Sequence, residues 1–422
     1  MPQGQISELR LRNYKTYSNQ CTLVIKPLTL LYGYNSAGKS TVLRFLKVLA
    51  DSSTGNEKEP IKLSSPALRG APFDQLISKY TDKSDVIIGA SFGDLSFDYT
   101  IRNFPDERRQ VVTQIQVSSP LNKKPINYLW QNWGRASQLS SVYLSTKPSE
   151  TFGREDDSIL IRFNGLSPHT EDVGENDLFD GISNHLTDFA SNFFWLSSHR
   201  EKLDRFELDA GTPNKVTETG RGISRMLHDA SKETISKISA WFERSTGYGF
   251  QRIPILIGDA QGFRFTLHPN NNPKLDIDVA DTGEGMGQVL PVIALLALAS
   301  ENQLGSQPTL AFEHPELHIH PDAHVHLAFE FCDAVQSLAK PTIIIESHSE
   351  NILLGIQLAI TEGRISPRDV SLNWVSETND GTILENIPLD DQARPVNGAW
   401  PSKVFQENIE LAKTLMKKRR DH

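Results

Sequence analysis

Apolar and polar positions alternate through the opening third of the chain, as they do in strands with one buried face. "ISELRLRNY" and then "CTLVIKPLTLLYG" carry this pattern across residues 5–32 and end at a loop beginning with Gly33. The next stretch, "STVLRFLKVLA" (40–50), places apolar residues at helical spacing, so strand, glycine loop and helix follow in direct succession. Residues 51–66, rich in Ser, Gly, Pro and charge, predict a surface loop. "DVIIGASF", "LSFDYTIR" and "QVVTQIQVS" then predict successive strands of an antiparallel sheet. Residues 120–180 are polar and irregular and predict no clear elements.

From 182 to 246 the period turns helical, including "GISRMLHDASKETISKISAWFERST". Strands return in "IPILIG", "FRFTLHP" and "LDIDVAD", followed by Gly-rich "TGEGMGQ" and an apolar helix. "TLAFE" and "PTIIIES" read as short strands apolar on both faces, with a helix, "DAHVHLAFEFCDAVQSLA", between them. Such runs indicate a mostly parallel central sheet. The expected class is α/β: a mostly parallel central sheet, an N-terminal antiparallel lobe and a helical insertion. The expected segments are 1–120, 121–250 and 251–422.

Composition narrows the function classes. At 38% hydrophobic and 23% charged, the 422 residues have an ordinary globular composition with room for two or three domains. A formal charge of −9 argues against wholesale coating of nucleic acid, though not against a local basic groove. The basic run "KKRR" (417–420) reads as a solvated helix end. Cys21 and Cys332 are too few for a disulfide framework, which points to a reducing interior. The N-terminus lacks the apolar core of a signal peptide, and the longest apolar run, "VLPVIALLALA", is too short to span a bilayer. A cytoplasmic protein without a membrane partner is expected.

The chemistry begins at "GYNSAGKST". Gly33 and Gly38 let backbone N–H groups turn towards phosphate oxygens, Lys39 can bridge terminal phosphates, and the Ser40 hydroxyl can ligate Mg²⁺. Gly33, Asn35, Ser36, Ala37, Gly38, Lys39, Ser40 and Thr41 are therefore the candidate nucleotide loop. "TLAFEHPE" ends a buried strand in an acid, Glu313, suited to the Mg²⁺ shell, with His314 next to it. "PTIIIESHSENIL" delivers His348 at the end of a strand, where it can reach a γ-phosphate or a water. "DTGEGMGQVLPVI" gathers Gly283, Gly285, Gly287 and Gln288 at a helix start, a second anion site. His314, His318, His320, His324 and His326 are spaced closely enough to suggest a transition metal, but no cysteine or acidic cluster completes such a site.

In this order, the four features resemble an ABC-type ATPase head, and more closely the AAA-family ATPases of the OLD class and the Septu PtuA-like class. "LRLRNYKTY" (9–17) is similar to their asparagine–aromatic–lysine opening, and "FFWLSSHREKLDRFE" (193–207) to their "YLGPLR" stretch, with Arg200 at the arginine. "GAWPSKVFQE" (398–407) is similar to part of an uncharacterised C-terminal domain often fused to such heads. The resemblance implies ATP and Mg²⁺ as ligands, with Lys39 and Ser40 on phosphate and metal. Glu313 becomes the Walker B acid, also a metal-site residue, and His348 the switch histidine. Gly283, Gly285, Gly287 and Gln288 would contact the ATP of a partner subunit. It also implies a homodimer or higher oligomer that regulates a separately encoded effector, nuclease or toxin, in prokaryotic anti-phage defence. The sequence departs from the pattern twice: His314 stands where the catalytic acid is usual, and Gly287 where the signature serine is. Slow hydrolysis is therefore expected. Gln75 is the candidate for the Q-loop glutamine, and no acidic Toprim-like segment follows, so the nuclease of the OLD enzymes is not expected. The alternatives are a repair or chromosome-type ATPase in direct contact with DNA, and a scaffold that binds ATP without hydrolysing it.

Overall fold

The computed structural model describes residues 4–55, 57–120, 124–131, 142–145, 158–172, 176–208, 216–257, 260–396, 398 and 400. Three strands, β1 (Glu8–Arg12), β2 (Cys21–Val24) and β3 (Leu28–Gly33), lead into helix α1 (Lys39–Asp51). Then come β4 (Asp85–Phe92), β5 (Leu95–Phe104), β6 (Arg109–Ser118), β7 (Ile126–Trp130), β8 (Val142–Ser145), β9 (Ser158–Leu160), β10 (Arg162–Asn164) and β11 (Ser167–His169). Helix α2 (Asn176–Ser191), β12 (Phe193–Leu196), β13 (Glu207–Leu208), α3 (Ile223–Asp229) and α4 (Lys232–Thr246) follow. The remainder runs β14 (Tyr248–Ile257), β15 (Ala260–Pro269), β16 (Ile277–Asp278), α5 (Glu284–Ser300), β17 (Thr309–Glu313), α6 (Pro321–Val335), β18 (Thr342–Ser347), α7 (Glu350–Thr361), β19 (Val370–Thr378) and β20 (Gly381–Ile387).

The central sheet has the order β12-β17-β18-β3-β19-β20. Its first five strands are parallel and β20 closes it antiparallel to β19. Both faces are covered, and the two-residue period of a strand divides its side chains between two cores. Leu28, Leu30, Tyr32, Leu310, Phe312, Ile343 and Ile345 face one core, while Leu31, Ala311 and Ile344 face the other. The first core is built around α5, which is buried from Gly287 to Ala299 and has no polar face there.

The second core joins α1 to an eight-stranded antiparallel lobe of order β2-β1-β4-β5-β6-β7-β8-β9. The expected strands β4, β5 and β6 are present, but the lobe does not stop near residue 120: β7, β8 and β9 extend it through the stretch that predicted no elements. The helices expected as one insertion serve separate cores. Phe179, Ile182 and Leu186 of α2 pack into the lobe, and Ile238, Trp241 and Phe242 of α4 pack with α5. Strands β13–β16 form a small separate antiparallel sheet. The tail with "KKRR" and most of the C-terminal "GAWPSKVFQE" lie outside the described residues. Among the described residues no helix is long and apolar enough to cross a membrane.

Helices α6 and α7 touch at a glycine. A Cβ on Gly355 would lie 2.6 Å from Ala328 Cβ and 3.3 Å from Val325 Cα, so the helices approach closely only because that position is empty. Gly355→Ala should lower stability by about 1–3 kcal/mol through overpacking, read as a lower urea midpoint. An unchanged midpoint would show that the helices separate without cost.

Candidate functional site

The site forms where β3 ends and α1 begins. Gly33 adopts φ 151, and a Cβ there would lie 2.1 Å from the Val375 carbonyl oxygen on neighbouring β19, so the loop leaves the sheet with no room for a side chain. Gly38, at φ 106, caps α1. The loop is braced from outside: the Tyr17 hydroxyl donates to Gly38 O at 3.0 Å, and the Thr382 hydroxyl donates to Ala37 O at 3.0 Å. Lys39 is buried, and its Nζ donates to the carbonyls of Gly33 (3.0 Å) and Tyr34 (2.6 Å). Burial draws its pKa down to about 8, against the pull of Glu346 and Glu316. A cleft of ≈ 370 Å³ opens here, lined by Thr16, Asn35, Ser36, Gly38, Lys39, Ser40, Thr41, His314, Glu346 and His348.

The acid facing this loop is not the expected one. Ser40 Oγ donates to Glu346 Oε1 at 2.6 Å. Glu346 is 2% exposed, its other oxygen has no partner, and burial raises its pKa. Glu313, 1% exposed, is absent from the cleft lining. Its carboxylate is gripped by Arg44, with Nε to Oε1 at 2.7 Å and Nη2 to Oε2 at 2.5 Å, and Trp195 Nε1 donates to Oε1 at 3.2 Å. Strand order is the reason. β18 lies between β17 and β3, and Glu346 stands beside Glu313 in register, one strand nearer the loop. Arg44, one helical turn beyond Ser40, reaches past to Glu313. The acid at the end of apolar "TIIIES" was a legible signal of the same kind as that in "TLAFE".

The imidazoles of His314 and His348 come together at the cleft. Their rings stack with centroids 4.9 Å apart and planes at 11°. His314, at φ 45, holds Nδ1 3.8 Å from Glu316 Oε1 and Nε2 3.6 Å from Glu346 Oε1. Burial opposes charge on His314, but the neighbouring Glu316 and Glu346 carboxylates outweigh it and raise its pKa. Burial, with Lys39 and His314 nearby, pulls His348 down to about 4, so it stays neutral at physiological pH. Glu316 is held by Ser347 Oγ at 2.8 Å and the His348 backbone N–H at 3.2 Å. The cleft therefore meets a lysine, a hydroxyl, a buried carboxylate and two imidazoles.

Residues 28–354 match the family described as "AAA domain, putative AbiEii toxin, Type IV TA system", more than half of the chain. The chain belongs to this AAA ATPase family. No curated protein matches it. Among solved structures, it is similar to an SMC head bound to the C-winged helix domain of ScpA, at 13% identity and a TM-score of 0.47, over 91% of this chain and 98% of that one. It is also similar to the SMC head domain from Thermotoga maritima, at 10% identity and a TM-score of 0.43, over 91% and 99% of the two chains. A third likeness is to the Smc head with an extended coiled coil, bound to the C-terminal domain of ScpA, derived from Pyrococcus furiosus. There the identity is 11% and the TM-score 0.47, over 98% and 99%. The family and the mostly parallel sheet make the fold that of an α/β P-loop ATPase.

In this AAA ATPase none of Gly283, Gly285, Gly287 and Gln288 lines the cleft of its own chain. Gly283 caps α5 and is exposed. Gly285 packs against the turn after β17, where a Cβ would lie 2.3 Å from the His318 carbonyl oxygen. Gln288 departs from the expected nucleotide contact: it is buried, and its Nε2 donates to Arg200 O at 2.8 Å. It falls on a helix with no exposed face at that point, which turns its amide inward. Arg200, buried and drawn down to a pKa of about 10 by desolvation, donates to the carbonyls of Glu313 (3.2 Å) and His314 (2.8 Å). Gln288 and Arg200 thus link α5 to the turn that carries His314.

Gln75 is exposed and away from the cleft, whereas Thr16, which sequence reasoning missed, lines it. The remaining histidines do local work: the His320 side chain caps α6, and His324 Nδ1 pairs with Ser349 Oγ at 2.8 Å. His318 is exposed and His326 half-buried. Among the described residues no group of three or more His, Cys, Asp or Glu side chains is arranged to hold a metal ion.

Removing Arg44 strands a buried carboxylate, which costs about 3–5 kcal/mol when a buried pair is broken. Arg44→Met should therefore destabilise strongly, and Arg44→Met with Glu313→Gln should regain most of the loss in urea unfolding. A single variant as stable as the parent would show that Glu313 does not depend on Arg44.

Proposed function

We propose that the chain binds ATP with Mg²⁺ in the Lys39 cleft, hydrolyses it slowly, and uses it to control assembly with a second copy. The observation that carries this reading is the convergence of Lys39, Ser40, Glu346, His314 and His348 on one cleft at the C-terminal edge of a parallel sheet, where such sheets take ligands. Lys39 exchanges the carbonyls of Gly33 and Tyr34 for phosphate oxygens, and the loop N–H groups and the start of α1 meet the remaining charge. The Ser40 hydroxyl and the Glu346 carboxylate, with one oxygen unpartnered, are hard oxygen donors of the kind magnesium takes. When bound, magnesium supplies positive charge beside the phosphates.

His348, neutral, can accept a hydrogen bond from water or from a protonated phosphate. His314 sits between Glu316 and Glu346, whose carboxylates favour its protonated form, so less of the imidazole is free to take a proton from the attacking water. That makes turnover slow. ATP hydrolysis followed by phosphate release tests the reading. The parent should turn over slowly with Mg²⁺ and without stimulation by DNA, and His314→Ala should keep ATP binding while losing about 10²-fold or more of that rate. An unchanged rate in His314→Ala removes the imidazole from the mechanism, and strong stimulation by DNA favours a chromosome-type ATPase.

The exposed start of α5, capped by Gly283, is the surface we assign to the γ-phosphate of a facing subunit, across a two-fold interface. Nucleotide state and oligomeric state are then linked by mass action. The regulated effector is a separately encoded nuclease or toxin in anti-phage defence, a setting supported by the resemblance of residues 9–17 and 193–207 to the OLD-class and PtuA-like ATPases. Gly283→Asp places a charge at that surface where a Cβ meets nothing within 4 Å, so the fold tolerates it. It should bind ATP normally yet fail to assemble with ATP and Mg²⁺ in light scattering. Assembly equal to the parent's would show that this helix start does not meet phosphate in trans.

A further inference from the structure

The ABC-type pattern puts the metal-supporting acid at the end of the Walker B strand, here Glu313. In this chain that position and the space around it are otherwise used. Glu313 gives both carboxylate oxygens to the Arg44 guanidinium and accepts a third hydrogen bond from the Trp195 indole. A carboxylate so engaged and 1% exposed has no free oxygen directed at the loop. Glu346 is the converse case. It stands on β18, between β17 and the P-loop strand β3, paired in register with Glu313 on one side and Leu31 on the other. Glu346 lines the cleft; one of its oxygens already holds Ser40, the hydroxyl suited to the metal, and the other is buried with no hydrogen-bond partner.

We propose that Glu346, not Glu313, is the carboxylate that supports the metal ion beside Ser40, and that Glu313 with Arg44 is a structural pair beneath the site. The assignment rests on reading the cleft as an ATP–magnesium site. A buried carboxylate with an unsatisfied oxygen is costly to maintain in a folded protein and marks a place where a ligand completes the set. Glu313 and Glu346 share the sheet face covered by α1, so the acid has in effect moved one strand towards the phosphates. Arg44 neutralises the one left behind.

The test compares ATP affinity, by calorimetry, with Mg²⁺ and with a chelator in its place. The parent should bind more tightly with Mg²⁺. Glu346→Gln should lose about 10–100-fold of that metal-dependent gain, as when an outer-sphere metal partner is removed, while its affinity in chelator stays at the parent's level or improves. Glu313→Gln should keep the gain. If that variant unfolds, the Arg44→Met, Glu313→Gln pair, which removes both charges, takes its place. Full retention of the metal gain in Glu346→Gln overturns the assignment, and so does its loss in Glu313→Gln or in the paired variant. A parent that binds no ATP in either condition is a different failure: it overturns the reading of the cleft, and the assignment falls with it.

Discussion

A carboxylate as deeply buried as Glu313 cannot stand unpaired, and Arg44 supplies the partner through two parallel hydrogen bonds. The consequences run through the rest of the site. With Glu313 tied to α1, the acid left to meet Ser40 is Glu346 on the neighbouring strand. With Glu346 fixed there, His314 Nε2 stands 3.6 Å from it and Nδ1 3.8 Å from Glu316. The imidazole is thus held between two carboxylates and charges more easily, while burial keeps the stacked His348 neutral. One ion pair under the sheet thereby decides which acid and which imidazole state face the phosphate loop.

The framework that permits this is a parallel sheet whose strand ends come out side by side. β3, β17 and β18 carry the loop, His314 and His348 to one edge, while two cores on opposite faces hold the strands in register. Arg200 adds a second tie, from the stretch after edge strand β12 to the carbonyls of Glu313 and His314, and Gln288 extends it to α5. A change at the exposed start of α5 has a continuous path of hydrogen bonds to the turn carrying His314.

What could be read from the sequence was local. The P-loop was legible because its strand, glycines, lysine and helix are consecutive, and His348 because it closes an apolar strand. β7, β8 and β9 were not, since they are short strands of the lobe separated by polar chain, without a long enough run to show their period. The helices of the middle segment were legible as helices, but their division between two cores is tertiary. The choice between Glu313 and Glu346 depended on strand order, which no local pattern states. Gln288 was assigned by its place in a glycine-rich motif, although the apolar run after it already implied a helix without an exposed face.

The proposed binding of ATP in this cleft rests on Lys39, whose ammonium satisfies itself on the carbonyls of Gly33 and Tyr34. Calorimetric titration of ATP with Mg²⁺ into the parent and into Lys39→Ala tests it most directly. Saturable binding to the parent and its loss in Lys39→Ala are expected, with the thermal stability of the two proteins similar in the absence of nucleotide. Comparable ATP affinity in both proteins would contradict it.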